Sequence, residues 1–222
     1  ISFCGGLQPL QTPDAGKSEF FYDKVARIRL SQNKKKKADR HYSYTHYDAQ
    51  GRITEVGQLE GKQDATPLNV NDLLAEVDNL EFPSQTDYIL TQITRTFYDD
   101  QASGTPTQIT PKNLRGRIAA VKVFEDGQTE GAATFYDYDI HGNVEKLVQS
   151  LPELEPKTVE YNYDLLSGNV HRVTYQKGEK DQFMHRYSYD ADNRLEAVFT
   201  SSDGYIWDED ARYMYYAHGP MA

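Results

Sequence analysis

Aromatic and polar positions alternate along much of this chain. Tyr136 and Tyr138, Tyr161 and Tyr163, Tyr187 and Tyr189, and Tyr213 and Tyr215 each form a Tyr-x-Tyr pair. Residues two apart on a strand share a face, so each pair puts two phenol rings on one side of a sheet. Four of the chain's return segments, and a fifth at Ile118, carry an aliphatic pair spaced by three: Ile53 and Val56, Ile118 and Val121, Val144 and Leu147, Val170 and Val173, Leu195 and Val198. Regular alternation puts such a pair on opposite faces. Either both faces are partly buried or a bulge restores the pair to one face, and the pattern leaves both open. One stretch has a helical period: in "NVNDLLAEVDNL", Leu73, Leu74, Val77 and Leu80 form a stripe behind Asn71 as N-cap. The predicted fold is all-β, an array of antiparallel β-hairpins forming a curved, elongated sheet. At most one short helix is expected, near residues 71–80.

The turns repeat one rule. Tyr-Asp recurs at Tyr22, Tyr47, Tyr98, Tyr138, Tyr163 and Tyr189, and "YMYYAHG" puts Tyr215 in the same place. The steps are 25, 51, 40, 25, 26 and 26 residues. The 51 is close to two periods, so residues 57–95 read as a decorated repeat. The 40 implies an inserted loop, "DDQASGTPTQITPKNLRGR". In "YDAQGRI" (Tyr47, Asp48, Gly51, Arg52) the Asp48 carboxylate can accept the N–H two residues on. Gly51 then takes the left-handed position that ends a type I turn with a bulge. "YDIHGNV" repeats this with Tyr138, Asp139, Gly142 and Asn143. "YDADNRL" has Tyr189, Asp190, Asn193 and Arg194, with Asn standing in for Gly. "YDLLSGNV" (Tyr163, Asp164, Gly168, Asn169) adds one residue to the loop. In the first unit, "FYDKVARI", Ala26 stands where Gly is expected. The chain is read as a single array over 1–222, with a flexible start at 1–18.

Composition agrees with sheet: 17 Tyr against 9 Phe and 1 Trp. With 24 Lys+Arg against 34 Asp+Glu, the field is wrong for a nucleic-acid partner. The basic run Lys34–Lys37 reads as a solvated loop tip. One cysteine, Cys4, excludes an intramolecular disulfide framework and a multi-Cys metal site. No apolar run is long enough for a membrane span. The sequence starts with neither Met nor a signal-peptide pattern, and is expected to be a piece of a longer chain.

No catalytic, cofactor-binding or metal-binding residues are singled out, and the chain is read as non-enzymatic. The repeated aspartates already have a structural task at turn starts. "DADNR" and "DED" resemble calcium loops but lack the Gly at six and the Glu at twelve. The six histidines show no ligand spacing, and nucleophile elbows and phosphate loops are missing.

"HYDAQGRITEV", "YDYDIHGNVEKLV", "YNYDLLSGNVHRV", "HRYSYDADNRLEAV" and the terminal "ARYMYYAHGPMA" resemble the tyrosine-aspartate (YD) repeat of Rhs-family proteins. That repeat is shared by the B and C components of bacterial insecticidal toxin complexes and by teneurins. The resemblance covers roughly residues 20–222, most firmly from 130 onward. It implies hairpins joined into a spiralling sheet that closes into a shell around a toxic C-terminal domain. Seven units are too few to close a container, so this chain would be a strip of wall in a secreted or surface-delivered bacterial protein. Its partners would then be further YD repeats and the toxin domain of the parent chain. Self-association through open sheet edges is a further expectation. The alternative is an extracellular carbohydrate-binding or adhesion module, with glycans held on the paired Tyr faces.

Overall fold

A computed structural model describes residues 7–12, 16–39, 41–126, 129–219 and 221. The architecture is all-β and antiparallel. Among the described residues, fourteen strands follow one another in the sheet in the order in which they occur in the chain. They are β1 (Leu7–Thr12), β2 (Gly16–Tyr22), β3 (Ile28–Gln32), β4 (Tyr42–Tyr47), β5 (Ile53–Lys62), β6 (Tyr88–Tyr98) and β7 (Ile118–Phe124). The series continues with β8 (Glu130–Tyr138), β9 (Val144–Ser150), β10 (Lys157–Tyr163), β11 (Val170–Tyr175), β12 (Phe183–Tyr189), β13 (Leu195–Ser201) and β14 (Asp208–Arg212). Two short helices complete the list, α1 (Lys34–Asp39) and α2 (Val70–Glu76). Of the first 18 residues, 7–12 form β1 and 16–18 open β2, while Cys4 lies outside the described residues.

The chain divides into two compact units, residues 1–97 with 121–133, and residues 98–120 with 134–222. The first unit has the larger core, built from Phe21, Leu30, Tyr42, Tyr44, Leu59, Leu73, Val77, Phe82, Tyr88, Leu90, Ile93 and Phe124. Part of this core comes from the decoration between β5 and β6, residues 63–87. Its helix α2 is capped by Asn69, not by Asn71: Asn69 is extended, and its side chain accepts the Asn71 N–H at 2.9 Å. The helix therefore starts and stops early. Leu73 and Val77, one turn apart, are buried, whereas Leu80 lies beyond the helix and is exposed.

The basic run is not a loop tip either. Asn33 accepts the Lys36 N–H at 2.9 Å, and α1 begins inside the run, with Lys36 Nζ donating to Ser43 Oγ at 2.6 Å. An Asn cap ahead of residues with good helix propensity outweighs the repulsion between neighbouring lysines.

The aliphatic pairs spaced by three are resolved by bulges. Tyr47 faces Ile53, but His46 faces Glu55, so Thr54 is the extra residue. The same slip makes His171 extra between β10 and β11, and Glu196 extra between β12 and β13. Val170 then faces Tyr163 and Val173 faces Tyr161, while Leu195 faces Tyr189 and Val198 faces Tyr187. In β10–β11 and β12–β13 the bulge thus returns the aliphatic pair to the face of the Tyr pair and sets the rows opposite each other, and in β4–β5 it sets Ile53 and Val56 opposite Tyr47 and Thr45.

Candidate functional site

The most regular feature is the row of Tyr-Asp turns. In the turn at Asp48 the Asp48 N–H donates to Arg52 O (2.9 Å) and the Gly51 N–H donates to Asp48 O (3.1 Å). One carboxylate oxygen, Oδ1, accepts the N–H groups of Gln50 and Arg52, both at 2.9 Å. The other, Oδ2, accepts Arg52 Nε at 2.6 Å. Asp23 with Arg27 and Asp190 with Arg194 reproduce the arrangement, and Asp139 uses Asn143 Nδ2 instead. The residue after the left-handed position is therefore part of the clamp. Arg and Asn suit it because each carries a planar N–H that can meet the second oxygen of the same carboxylate.

The turn survives two departures. Ala26 adopts φ 63° where Gly51 and Gly142 have 82° and 95°, and Asn193 has 60°. Replacing Ala26 with Gly is expected to stabilise the protein by about 0.5–1 kcal/mol, since a Cβ in the left-handed region is strained. Gly51→Val is expected to destabilise it by about 1 kcal/mol or more. Opposite shifts in denaturation midpoint are the signature; shifts of the same sign would show that backbone conformation does not govern the turns. At Asp99 an insertion lengthens the loop, yet the Asp99 N–H still donates to Arg117 O (3.1 Å) and its carboxylate accepts the Gly116 N–H (2.6 Å). "GRI" at 116–118 closes a turn that Tyr98-Asp99 opened.

Hydrogen bonding to the ionised form holds the carboxyls of Asp48, Asp139, Asp164 and Asp190 below their ordinary values. For Asp48 and Asp139 burial pulls the other way and is outweighed by bonds from Arg52 and Asn143. For Asp190 and Asp164 the leading causes are the backbone N–H groups of Arg194 and Ser167. A carboxyl lowered on folding contributes stability above its unfolded value, which is lost as pH falls through the lower folded value. Stability is therefore expected to decline on acidification below about pH 4. Denaturation midpoints that rise between about pH 4 and pH 2 would contradict this.

The tyrosine of each motif has a separate task. Tyr47 Oη donates to Ile28 O (3.0 Å), Tyr138 Oη to Ile118 O (2.9 Å), Tyr163 Oη to Val144 O (2.9 Å), Tyr189 Oη to Val170 O (2.8 Å) and Tyr215 Oη to Leu195 O (2.7 Å). Each acceptor is the first residue of the preceding hairpin's return strand. In three of these an arginine of that hairpin lies over the same ring: the clamp residues Arg27 over Tyr47 at 4.9 Å and Arg194 over Tyr215 at 4.7 Å, and Arg117 over Tyr138 at 5.5 Å. One tyrosine thus latches its hairpin to the one before. Tyr189→Phe is expected to cost about 1 kcal/mol, while Tyr161→Phe, whose hydroxyl has no partner among the described residues, should cost far less. Equal effects in urea unfolding would remove the latch. The seventh turn keeps the outline without the aspartate. Tyr216 stands in its place, the Gly219 N–H donates to Tyr216 O at 2.9 Å, and Tyr215 bridges Met221.

In β10–β13 the two faces differ chemically. One carries Tyr161, Tyr163, Val173, His185, Tyr187 and Val198. Tyr161 and Tyr163 stack at 6.4 Å, and His185 and Tyr187 at 6.3 Å. The other carries charges: Glu160 lies between Lys146 (3.2 Å) and Lys177 (3.3 Å), and the Arg186 guanidinium lies over Phe199 (4.8 Å) and Trp207 (4.5 Å). Among the described residues no three His, Cys, Asp or Glu are grouped to hold a metal, and no helix is long and apolar enough to cross a membrane.

No family model and no curated protein matches the sequence. Among solved structures, the crystal structure of TcdB2-TccC3 without its hypervariable C-terminal region is similar over 96% of this chain, at 15% identity and a TM-score of 0.60. The Photorhabdus luminescens Tc holotoxin pore with the TccC3-D651A mutation aligns over 96% of this chain at 16% identity, with a TM-score of 0.36. The chain spans 9% of the first of those chains and 11% of the second. The likeness to TcdB2-TccC3 is one of fold.

Proposed function

We propose that this chain is a non-catalytic wall segment of an Rhs-like protein, part of a β-shell that encloses a C-terminal toxin. The observation that carries the reading is the latch. Each hairpin is joined to its predecessor by sheet hydrogen bonds and by a tyrosine that reaches back over it. Such a unit extends a sheet by local rules alone, as in other repeat proteins. The fold likeness to a toxin-complex component supports the same reading. The uncharged aromatic face would line the interior and the charged face would meet solvent. The protein would be secreted or displayed by a bacterium. A platform for glycans along the whole Tyr row is the weaker account, because the motif hydroxyls are already spent on backbone carbonyls.

Electron cryo-microscopy of the native full-length protein, with its intact mass, tests the proposal. A hollow β-shell holding extra density, and many more Tyr-Asp units beyond these, is the expected result. A native chain of about this length with an open, solvent-exposed sheet would overturn it.

A further inference from the structure

The fifth turn breaks the clamp, and the break opens a site. Its extra residue lets Asp164 Oδ1 accept the N–H groups of Leu166 (3.1 Å) and Ser167 (2.8 Å) and the Ser167 hydroxyl (2.8 Å). Asn169, the residue that would close the clamp, has turned away. Its Nδ2 donates to Asn193 Oδ1 of the next turn at 3.1 Å. Asp164 Oδ2 is consequently left with no donor among the described residues, whereas Asp23, Asp48, Asp139 and Asp190 each have theirs filled by Arg or Asn. This carboxylate lies on the wall of a 370 Å³ pocket between the two turns, whose lining includes His171, Tyr187, Tyr189 and Asn193.

We propose that this pocket binds a neutral sugar ring, with Asp164 Oδ2 accepting its hydroxyls. The volume is within the range of small-molecule sites. Asp164 is ionised near neutral pH, its carboxyl held below the ordinary range chiefly by the Ser167 bonds. A carboxylate oxygen without a donor accepts from two adjacent hydroxyls. Imidazole and carboxamide can each donate or accept, which suits a ligand that is itself both donor and acceptor all round its ring. Tyr187 supplies the apolar wall that a sugar's C–H face requires. Other ligand classes fit less well. Anions meet Asp164 and Asp190, and Asp190 is already paired with Arg194. A metal ion lacks the necessary group of ligands. The site is confined to this one irregular turn pair, so it does not depend on the tyrosine row as a whole.

The test is a titration of the full chain with glucose, galactose, mannose and N-acetylglucosamine, followed by two-dimensional amide NMR. At least one sugar is expected to shift the amides of residues 164–171 and 187–193 saturably, with a Kd on the order of 1 mM. Asp164→Asn keeps Oδ1 and hence the turn, but replaces the free oxygen with an NH₂ group. It should weaken binding at least tenfold while the ligand-free turn amides stay in place. Tyr187→Leu should weaken it as well. Three outcomes overturn the proposal: no saturable shift up to about 50 mM sugar, unchanged binding by the Asp164→Asn protein, or saturation of the same amides by methylammonium or phosphate and not by any sugar.

Discussion

Replacing Arg29 with Met is expected to destabilise the first unit by about 2–5 kcal/mol, from roughly 1–3 kcal/mol for each buried carbonyl that loses its donor. Arg29 is the extra residue of a bulge, since Tyr22 faces Ile28 while Phe21 faces Leu30. The bulge turns its side chain into the protein, where only 1% of the residue is exposed. There Nε donates to Thr45 O at 3.0 Å. Its Nη2 faces three carbonyls of the decoration: Asn79 O (3.1 Å), Leu80 O (3.3 Å) and Phe82 O (2.5 Å). A single guanidinium therefore ties residues 79–82 to the hairpin sheet. Met fills similar space but takes away the donor on Leu80 O and Phe82 O, while Asn79 O keeps the Phe82 N–H, and backbone groups without partners are costly when buried. Burial lowers the pKa of Arg29, but from so high a start that it stays charged near neutral pH. Urea unfolding should show the loss, and limited proteolysis should cut first within residues 79–85. A midpoint unchanged within error would mean that the decoration is held by its apolar contacts alone.

The second large effect is expected at Gly57, where Val should cost about 2–3 kcal/mol. Gly57 is paired directly with Tyr44 across β4 and β5, and the Tyr44 ring crosses its backbone. A Cβ here would come within 2.7 Å of the ring. The ring cannot easily move aside. It is 1% exposed, and its hydroxyl donates to Glu55 Oε1 at 2.6 Å, a carboxylate that Arg95 Nε also holds at 2.5 Å. Burial and the Glu55 contact both push the phenol's pKa up, so Tyr44 remains a neutral donor throughout the usual pH range. Thermal unfolding of Gly57→Ala and Gly57→Val should show graded losses. Equal stability of the two variants and the parent would mean that the ring has room to yield.

The turns were legible in the sequence because their chemistry is local. Asp48, Gly51 and Arg52 act within five residues, and the same is true at Asp139 and Asp190. Ala26 was less so: its left-handed φ is imposed by the Asp23 clamp and the strands on either side, against its own preference. The latch was hidden for a different reason. A tyrosine hydroxyl finds a carbonyl 19 or 20 residues upstream, and a carbonyl has no spelling. The role of Arg29 was hidden in the same way, since a bulge reverses the side of the sheet that simple alternation assigns. The cap of α2 was misplaced by two residues because Asn69 and Asn71 are chemically equal candidates, and only the backbone at 69 distinguishes them.

The latch also gives the array a direction in time. Every motif tyrosine whose bond is described reaches toward the hairpin made earlier. On a ribosome, the carbonyl that accepts has emerged before the hydroxyl that seeks it. Each new hairpin can therefore dock on a finished edge as soon as it leaves the exit tunnel, with no need to wait for sequence still to come. At its growing end, a chain assembled in this manner leaves each strand unpaired only until the next one docks, which shortens the interval in which that edge could capture a neighbour.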